Sequence, residues 1–364
     1  MNDDVKEILK KYDLVVDEET IQIPKIPKKG LIAIIGSSGS GKSTILRDIY
    51  GDSIDDTITY PNKPLLSLFS SAKKGEELLI ACGLRSIPTW KREITTLSNG
   101  EKHRAEIALG IDNGKDYIDE FTSVVDRDTA KSLSVALSKY FVRSNKEKLI
   151  IATCHRDIVE WLQPDHVYDT DLREWLPRGS LRQRPKIELK VRSCDSQKVW
   201  EIFRKHHYLS SDINKSCNSF VATYNNNPIA MTSIISQPGG NIKNGWRGHR
   251  TVVLPEWQGM GIGVKLSDLI AEYVTSSGCV FYSKTSHPSM GIHRENSPNW
   301  EATSYNKKNR PDYIDRMDSL TKSEYGHTDE LLKTHSDRVC YCHKFIGKPR
   351  VFKDKLDYLE ELFI

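Results

Sequence analysis

The chain has 364 residues and a net charge of +4, and 38% of its residues are hydrophobic and 28% charged. These proportions predict a soluble globular protein and exclude long disorder, and the length predicts two domains at about 100–200 residues each. No apolar run reaches the roughly 18 residues that a membrane helix needs. The polar and acidic start predicts no secretory signal. Seven cysteines, an odd number, indicate reduced thiols in the cytoplasm rather than a disulfide framework.

The charge differs between the two halves of the chain. Residues 1–177 hold 25 basic against 29 acidic residues, a balance of −4, whereas residues 178–364 hold 28 against 20, a balance of +8. Between them, 177–186 contains two prolines, a Gly-Ser pair and four basic residues, which is typical of a solvated linker. We therefore predict domains at 1–177 and 187–364, joined by a basic linker at 178–186. The basic half is the one expected to meet an anionic partner.

The first half alternates strand-like and helix-like segments, which predicts an α/β domain. The apolar run Leu31–Ile35 ends in glycine and precedes a helical stretch, the context that a phosphate-binding loop requires. The residues that match the G-x-x-x-x-G-K-[ST] pattern and its helix start are Gly36, Ser37, Ser38, Gly39, Ser40, Gly41, Lys42, Ser43 and Thr44. Their backbone N–H groups are expected to surround phosphate oxygens, with Lys42 on the β and γ phosphates and Ser43 on Mg²⁺. We predict an ATP site here.

Three further motifs follow in chain order, and together with the loop they resemble the ATP-binding cassette (ABC) family over residues 1–175. Leu97–Arg104 resembles the signature sequence, Asp119–Asp126 resembles the Walker B motif and D-loop, and His155 lies where the family has its switch histidine. The resemblance implies that Asp119 holds Mg²⁺ through water, that Glu120 is the general base for the attacking water, and that His155 contacts the γ-phosphate.

In this family the signature faces the phosphate-binding loop of a second subunit. The resemblance therefore implies a head-to-tail homodimer that encloses ATP, with Ser98 and the N–H of Gly100 on the partner's γ-phosphate. Glu101 and Asp126 complete the nucleotide-binding residues of these two motifs.

Some positions depart from the family pattern. No glutamine occurs between Thr44 and Leu97 to serve as the Q-loop residue, so Asn62 is the substitute, and Phe121 replaces a proline. Tyr12 lies where the family often stacks an aromatic ring on adenine, with ordinary packing as the alternative. The departures indicate slow turnover rather than loss of binding. The short region before the signature predicts an ABC ATPase without a transport role and without a membrane partner.

The second half mixes alternating segments, at Ser219–Tyr224, Ile229–Ile235 and Arg250–Leu254, with a helical stretch at Gly263–Val274. This pattern predicts an α+β domain with a mostly antiparallel sheet. For the last segment, Arg350–Ile364, we predict a short strand or coil followed by a helix.

A glycine-rich segment in this half follows a strand and precedes an amphipathic helix. It resembles motif A of the GNAT acyltransferases, in which the loop binds the pyrophosphate of coenzyme A at a helix N-terminus. The resemblance implies acetyl-CoA or another acyl-CoA as the donor; a glycine-rich helix start without a ligand is the alternative. The implied cofactor-binding residues are Val253, Gln258, Gly259, Met260, Gly261, Ile262 and Gly263.

Two other elements resemble the phage Mom-type branch of GNAT-like proteins, which modify adenine in DNA. They are the His206–Ser210 segment and the His-containing loop at Ser283–Trp300. Candidate acids or bases for transfer are His249, Tyr208, Tyr282 and His287, with a structural role as the alternative for each.

The acceptor follows less directly from the residues. The basic half and the stretch Tyr305–Arg310 favour nucleic acid. An acetyl-CoA-dependent N-acetyltransferase for a protein or small-molecule amine is the second hypothesis, and an ATP-dependent binding switch without transfer is the third.

Overall fold

The computed structural model describes residues 11, 23–51, 59–177, 179–207, 212–237, 242–308, 339–350 and, as backbone, 357–362. The α-helices of these residues are α1 Lys42–Tyr50, α2 Ala72–Ala81, α3 Ile87–Trp90, α4 Asn99–Asp112, α5 Arg127–Ser144, α6 Val159–Leu162, α7 Ser196–Phe203, α8 Ile262–Ser276 and α9 Pro288–Asn296. The strands are β1 Gly30–Ile35, β2 Tyr117–Ile118, β3 Lys148–Thr153, β4 His166–Asp169, β5 Glu174–Trp175, β6 Ile187–Cys194, β7 Asn218–Tyr224, β8 Asn227–Ser236, β9 Gly245–Val253, β10 Val280–Thr285, β11 Trp300–Ala302, β12 Tyr341–Phe345 and β13 Asp357–Leu362. Short 3₁₀ helices lie at Leu65–Leu68, Ile94–Thr96, Arg156–Ile158, Arg204–His206 and Pro255–Trp257.

The N-terminal domain, comprising β1–β5 and α1–α6, is built on a five-stranded sheet in the order β2-β3-β1-β4-β5. The first four strands are parallel and β5 is antiparallel to β4. All of Leu31–Ile35 is buried, because alternate residues of β1 enter hydrophobic cores on opposite faces of the sheet. A strand covered on both faces is a continuous apolar run, as this sequence has.

The C-terminal domain, comprising β6–β13 and α7–α9, is built on an eight-stranded sheet in the order β11-β12-β10-β9-β8-β7-β6-β13. Its described strand pairs are antiparallel except for β9 and β10, which are parallel. One face packs on α7 through Trp200 and Phe203. The other face packs on α8 through Leu266 and Ile270. The predicted arrangement, an α/β domain followed by an α+β domain with a mostly antiparallel sheet, is confirmed.

One hydrophobic cluster contains residues of both domains. Val135 of α5 and Trp161 of α6 are buried in the cluster that α8 forms with its sheet. Full burial of one valine-sized side chain contributes about 1.5–3 kcal/mol. The segment between the domains is also fixed, since Arg184 donates from Nε to the Trp161 carbonyl oxygen at 3.0 Å. The N-terminal domain therefore contacts the C-terminal domain directly.

The prediction of a helix within Arg350–Ile364 is wrong. Residues Asp357–Leu362 form β13, which pairs antiparallel with β6 along six residues. The edge of β6 offers unpaired N–H and C=O groups, and pairing with them outweighs the local helical preference of the segment. Within the described residues, no helix is long and apolar enough to cross a membrane.

Candidate functional site

The first candidate site is the loop between β1 and α1. Gly36, Gly39 and Gly41 have φ angles of 153°, 79° and 92°. A Cβ atom at Gly36 would lie 1.9 Å from Oγ1 of Thr170, so a side chain does not fit there. Gly41 has left-handed backbone and directly precedes α1, which has no side-chain cap. The first N–H groups of α1 thus remain available to an anion at the helix N-terminus.

Lys42 and Ser37 have defined partners around this loop. Lys42 Nζ donates to the carbonyl oxygens of Gly36, at 2.9 Å, and of Ser37, so its ammonium lies inside the loop. Ser37 donates from its N–H and hydroxyl to Asp171, at 3.0 and 2.9 Å. Arg156 and Ser37 hold the pKa of Asp171 below its usual range. Asp171 thus fixes the first turn of the loop, and the donors left for phosphate come from later residues.

The parallel ladders bring three of the predicted motifs to one edge of the sheet. Ile35 at the end of β1 pairs with Thr153 at the end of β3, and Ile151 of β3 pairs with Ile118 at the end of β2. The phosphate-binding loop, His155 and Asp119 all follow directly after these strand ends. Ligands of open parallel sheets bind at this carboxyl edge.

Glu120 has an unusual backbone conformation. Its φ angle is 47°, and its N–H donates to Oδ1 of Asp119 at 2.8 Å. The next residue, Phe121, is fully buried and donates its N–H to the Ala152 carbonyl oxygen at 3.0 Å, a bond that proline could not form. Buried Phe121 therefore anchors the turn, and strained backbone of this kind is concentrated at functional sites.

His155 is positioned by a pair of threonines. Its Nδ1 lies 2.8 Å from Oγ1 of Thr122, which lies 2.9 Å from Oγ1 of Thr153. Burial and then Arg127 lower the pKa of His155, so the ring is neutral at pH 7. With Nδ1 engaged, Nε2 is the ring nitrogen available for a phosphate oxygen.

The signature residues begin α4. Ser98 is the N-cap and forms a capping box with Glu101, whose carboxylate accepts from the Ser98 N–H at 3.0 Å. Arg104 is buried and donates to the carbonyl oxygens of Gly100, at 3.1 Å, and Gly83, at 3.0 Å. Within the described part of the chain, no hydrogen bond or ion pair joins Ser98 or Gly100 to residues 36–44, so the two motifs are not joined within one subunit.

Three other predicted nucleotide residues have different outcomes. Asp126 is the N-cap of α5 and accepts from the N–H groups of Asp128 and Thr129. Burial raises its pKa, but these bonds outweigh burial and lower it overall. Asn62 is exposed and forms no hydrogen bond with the loop among the residues described. Tyr12 lies outside the described residues.

The second candidate site is the glycine loop before α8. Gly259 and Gly261 have φ angles of 97° and 92°, and Gly261 is the uncapped start of this 15-residue helix. The side chains of Met260 and Ile262 are buried in the core, so only their backbone groups can meet a ligand. Gln258 donates from Nε2 to the Val253 carbonyl oxygen at 2.8 Å and thereby braces the loop.

A cavity of about 130 Å³ opens at this loop. Its walls come from the loop, from Thr251–Val253, from His206 and His207, and from the first turn of α9. The parallel pairing of β9 with β10 ends at Arg247 and Tyr282. The last residues of β9 therefore have no partner on that side, and the cavity lies along them.

Of the described acid–base candidates, only His287 lines this cavity. Burial and then Arg85 lower the pKa of His287 to about 4. His249 is the bulged residue of β9, since Ser233 pairs with Arg250 and Ile234 with Gly248. Its Nε2 accepts from the Asn214 N–H at 3.2 Å, and burial and neighbouring arginines lower its pKa to about 4.

Tyr282 does not line the cavity and lies at the last position at which β10 pairs with β9. Tyr208 lies outside the described residues. The sequence did not reveal two other cavity residues, Arg85 and Ser86 of the N-terminal domain. No motif marks them, because they reach the cavity only through the packing of the two domains.

The chain is similar to one protein family in sequence and to several solved structures. The family model described as "Acetyltransferase (GNAT) family" matches residues 182–295, less than a third of the chain. A dimeric bacterial ABC transporter cassette is 16% identical, with a TM-score of 0.33, over 40% of this chain and 83% of that chain. The same cassette bound to ADP and phosphate is 17% identical, with a TM-score of 0.32, over 40% and 83%. The IAA acetyltransferase from Bacillus cereus is 12% identical, with a TM-score of 0.30, over 43% and 98%. No curated protein matches the chain.

Proposed function

We propose that the chain joins an ABC-type ATPase to an acyl-CoA-dependent N-acyltransferase, and that ATP-driven dimerisation controls the transfer. One observation carries this proposal. Each domain presents a left-handed glycine, Gly41 or Gly261, directly before an uncapped helix at the end of a strand. Such a helix start binds phosphate groups, and both predicted nucleotide substrates carry them.

In the N-terminal domain each site residue has a separate role in ATP hydrolysis. Lys42 binds the β and γ phosphates, and the first N–H groups of α1 bind their oxygens. The donor set fits Mg²⁺, which prefers hydroxyl and carboxylate oxygen, and Ser43 and Asp119 would hold it; bound there, the ion neutralises phosphate charge. Glu120 accepts the proton of the attacking water, and neutral His155 contacts the γ-phosphate through Nε2.

Dimerisation supplies the signature. Ser98 lies at the N-terminus of the 14-residue α4, and the carbonyl oxygen of Val124 is 3.5 Å from the Cβ position of Gly100. The side chain of Val124 is 50% exposed. An exposed apolar residue beside an exposed helix start suits a contact with a second copy, whose γ-phosphate would meet Ser98 and the N–H of Gly100.

A direct contact supports control of the transferase by the ATPase. The D-loop residue Asp126 caps α5, and this helix packs against the 3₁₀ helix that precedes the glycine loop. A Cβ atom at Gly259 would lie 3.1 Å from Cβ of Ala136 and 3.4 Å from the carbonyl oxygen of Ser132. Movement of α5 on dimerisation would therefore move the glycine loop.

In the C-terminal domain we assign acyl transfer to the cavity. The acceptor nitrogen forms a C–N bond to the acyl carbon, the C–S bond breaks, and the amine loses a proton while the thiolate of CoA gains one. The free backbone edge at Thr251–Val253 orients the donor, and the N–H groups after Gly261 bind its pyrophosphate. His287 is neutral at pH 7 and serves as a hydrogen-bonding group, because a pKa of about 4 makes it a weak base.

We propose nucleic acid as the acceptor class, on the +8 balance of residues 178–364. A gel-shift titration should show DNA or RNA binding that weakens steeply with salt. Mass spectrometry of nucleosides from cells that express the wild type, with Gly261→Ala and Gly263→Ala cells as references, should show an acylated base. Acetylation of a protein or small amine in the absence of nucleic acid would show that the acceptor is such an amine instead. CoA binding without any transfer would favour a binding switch.

The whole proposal is tested by adding ATP to the Glu120→Gln chain and measuring two quantities. Size-exclusion chromatography should show a dimer only with ATP, and the affinity for CoA should change by roughly fivefold or more between the two states. Lys42→Ala is the control, since its CoA affinity should not respond to ATP. A monomer with ATP would contradict the dimer, and an unchanged affinity would contradict control.

A further inference from the structure

We propose that Arg85 of the N-terminal domain binds a phosphate group of the acyl-CoA donor, so that the donor site is completed across the domain interface. The inference rests on the proposed acyltransferase function. It adds to that function a binding residue that lies outside the transferase domain and outside the match to the family model, which covers residues 182–295.

Arg85 lies at the glycine loop. It lines the cavity together with Gly259 and Gly261, and its Nη2 is 3.6 Å from the Cβ position of Gly259. Gly83, two residues earlier, accepts a hydrogen bond from Arg104, and Leu84 accepts one from Trp90 Nε1 at 2.7 Å. These bonds fix the backbone that carries Arg85 beside the loop.

Arg85 has no partner of its own in the part of the chain that the structure describes. Its side chain forms no hydrogen bond or ion pair there, and its Nε is a buried donor left unsatisfied. A guanidinium carries five N–H donors, and burying a cation without an opposite charge is costly. Burial and then the like charge of Arg143 lower the pKa of Arg85 to about 10, which leaves it charged at pH 7.

The surroundings of Arg85 are positive rather than negative. Arg85, Arg143 and Arg184 all act on Lys139, and burial together with these three cations lowers its pKa to about 8. Three of these four cations belong to the N-terminal domain and the fourth to the segment between the domains. The uncapped start of α8 lines the same cavity and adds further positive potential. An anion there would meet both the guanidinium and the helix start.

Coenzyme A fits this site better than the backbone of a nucleic acid. The cavity is small, at about 130 Å³, and its walls include a glycine loop and the free edge of β9. These features suit a compact pyrophosphate followed by a narrow chain, whereas a nucleic acid backbone tracks along an extended surface. His287 lies beside Arg85 and is neutral at pH 7, so it does not repel the guanidinium.

The test is isothermal titration of the full chain with CoA, 3′-dephospho-CoA and pantetheine. Arg85→Met keeps an unbranched apolar side chain and removes the charge, and it should weaken CoA binding by about tenfold or more. Pantetheine, which has no phosphate, should bind both chains alike. If Arg85→Met loses as much affinity for 3′-dephospho-CoA as for CoA, the arginine binds the pyrophosphate. If its affinity for 3′-dephospho-CoA is unchanged, the arginine binds the 3′-phosphate.

Lys91→Met is the matched control, because Lys91 is an exposed cation six residues along the same segment and does not line the cavity. Arg85→Gln also removes the charge and should lose the same affinity, which covers the case in which Arg85→Met does not fold, whereas Arg85→Lys keeps the charge and should retain most of it. Unchanged CoA affinity in Arg85→Met would overturn the inference while the acyltransferase proposal stands, and loss of binding to a short DNA duplex alone would reassign Arg85 to the acceptor. A wild-type chain that does not bind CoA would instead refute the proposed function itself.

Discussion

The two candidate phosphate-binding loops share one backbone conformation. Gly41 has φ 92° and ψ 11°, Gly261 has φ 92° and ψ 3°, and each directly precedes a helix without a side-chain cap. They differ in the residue that follows. Gly41 is followed by Lys42, whose ammonium lies inside its own loop, whereas Gly261 is followed by buried Ile262.

The two loops differ in the source of their positive charge. The first loop carries a lysine in its own sequence. The second has no cation among its own residues in the cavity, and the neighbouring domain places Arg85 there. The same backbone geometry is therefore combined with a cation of its own loop in one case and with a cation of the neighbouring domain in the other.

Replacement of Glu120 is expected to reduce ATP hydrolysis strongly without affecting the CoA site. Glu120→Gln removes the general base, so ATP hydrolysis should fall by roughly 10²–10⁴-fold, while ATP binding and the CoA affinity of the nucleotide-free chain are retained. Steady-state phosphate release and titration calorimetry measure these quantities. Residual hydrolysis within tenfold of the wild type would show that another group activates the water.

A second pair of variants tests the packing of the first loop. Gly36→Ala places a Cβ 1.9 Å from Oγ1 of Thr170 and must displace it from Ser40, whereas Gly39→Ala meets no atom within 4 Å. We expect Gly36→Ala to lose about 1–3 kcal/mol of unfolding free energy in urea and most of its ATP affinity. Gly39→Ala, with positive φ as well, is the control for backbone strain. Equal losses in the two would contradict the steric account.

The corresponding pair of variants for the second loop is Gly261→Ala and Gly278→Ala, at the two ends of α8. Gly261 and Gly278 both have positive φ, at 92° and 75°, and neither would have an atom within 4 Å of an added Cβ. Each alanine should therefore cost a similar amount, roughly 1–2 kcal/mol of stability. Only Gly261→Ala should weaken CoA binding, by about tenfold. A similar affinity loss in Gly278→Ala would mean that stability rather than the loop governs binding.

A weaker effect is expected on the pH dependence of the free energy of unfolding. Because the pKa of His287 in the folded chain is about 4 and that of an unfolded histidine is about 6.5, the unfolded state binds more protons between these values. Unfolding free energy should therefore fall as the pH drops from 6.5 towards 4. His287→Asn should reduce this loss by roughly 1–2 kcal/mol, as measured by urea unfolding at several pH values.

His155→Asn is the comparison for that experiment in the first site. The pKa of His155 is also lowered by burial, but it is the less strongly shifted histidine. Its removal should change the pH dependence less than removal of His287 does. The reverse order would show that the cavity wall around His287 is open to water.

Local patterns explain how far the sequence predicted the molecule. An apolar run, glycines and a helix start are contiguous, so the loop at Gly36–Gly41 and the loop at Gly259–Gly261 were both predictable, as was the order of the two fold classes. The strand Asp357–Leu362 was not, because it depends on the open edge of β6 more than 160 residues earlier in the chain.

The missed part of the candidate site has the same physical cause. Arg85 is an ordinary residue in sequence and becomes a cavity residue only because Val135 and Trp161 bury themselves in the core of the other domain. The candidate acid or base His249 also has a contact that its local sequence does not reveal. Its position beside the glycine motif is local, but the Asn214 N–H that occupies Nε2 comes from a distant segment.

Whether one chain holds two separate phosphate sites is measured by titration of both ligands. CoA is titrated calorimetrically into the Glu120→Gln chain that is already saturated with ATP, and into the Lys42→Ala and Gly261→Ala chains. We expect one CoA per ATP-loaded chain, loss of ATP binding alone in Lys42→Ala, and weakened CoA binding alone in Gly261→Ala. Displacement of CoA by ATP, or loss of both ligands in either variant, would contradict this expectation.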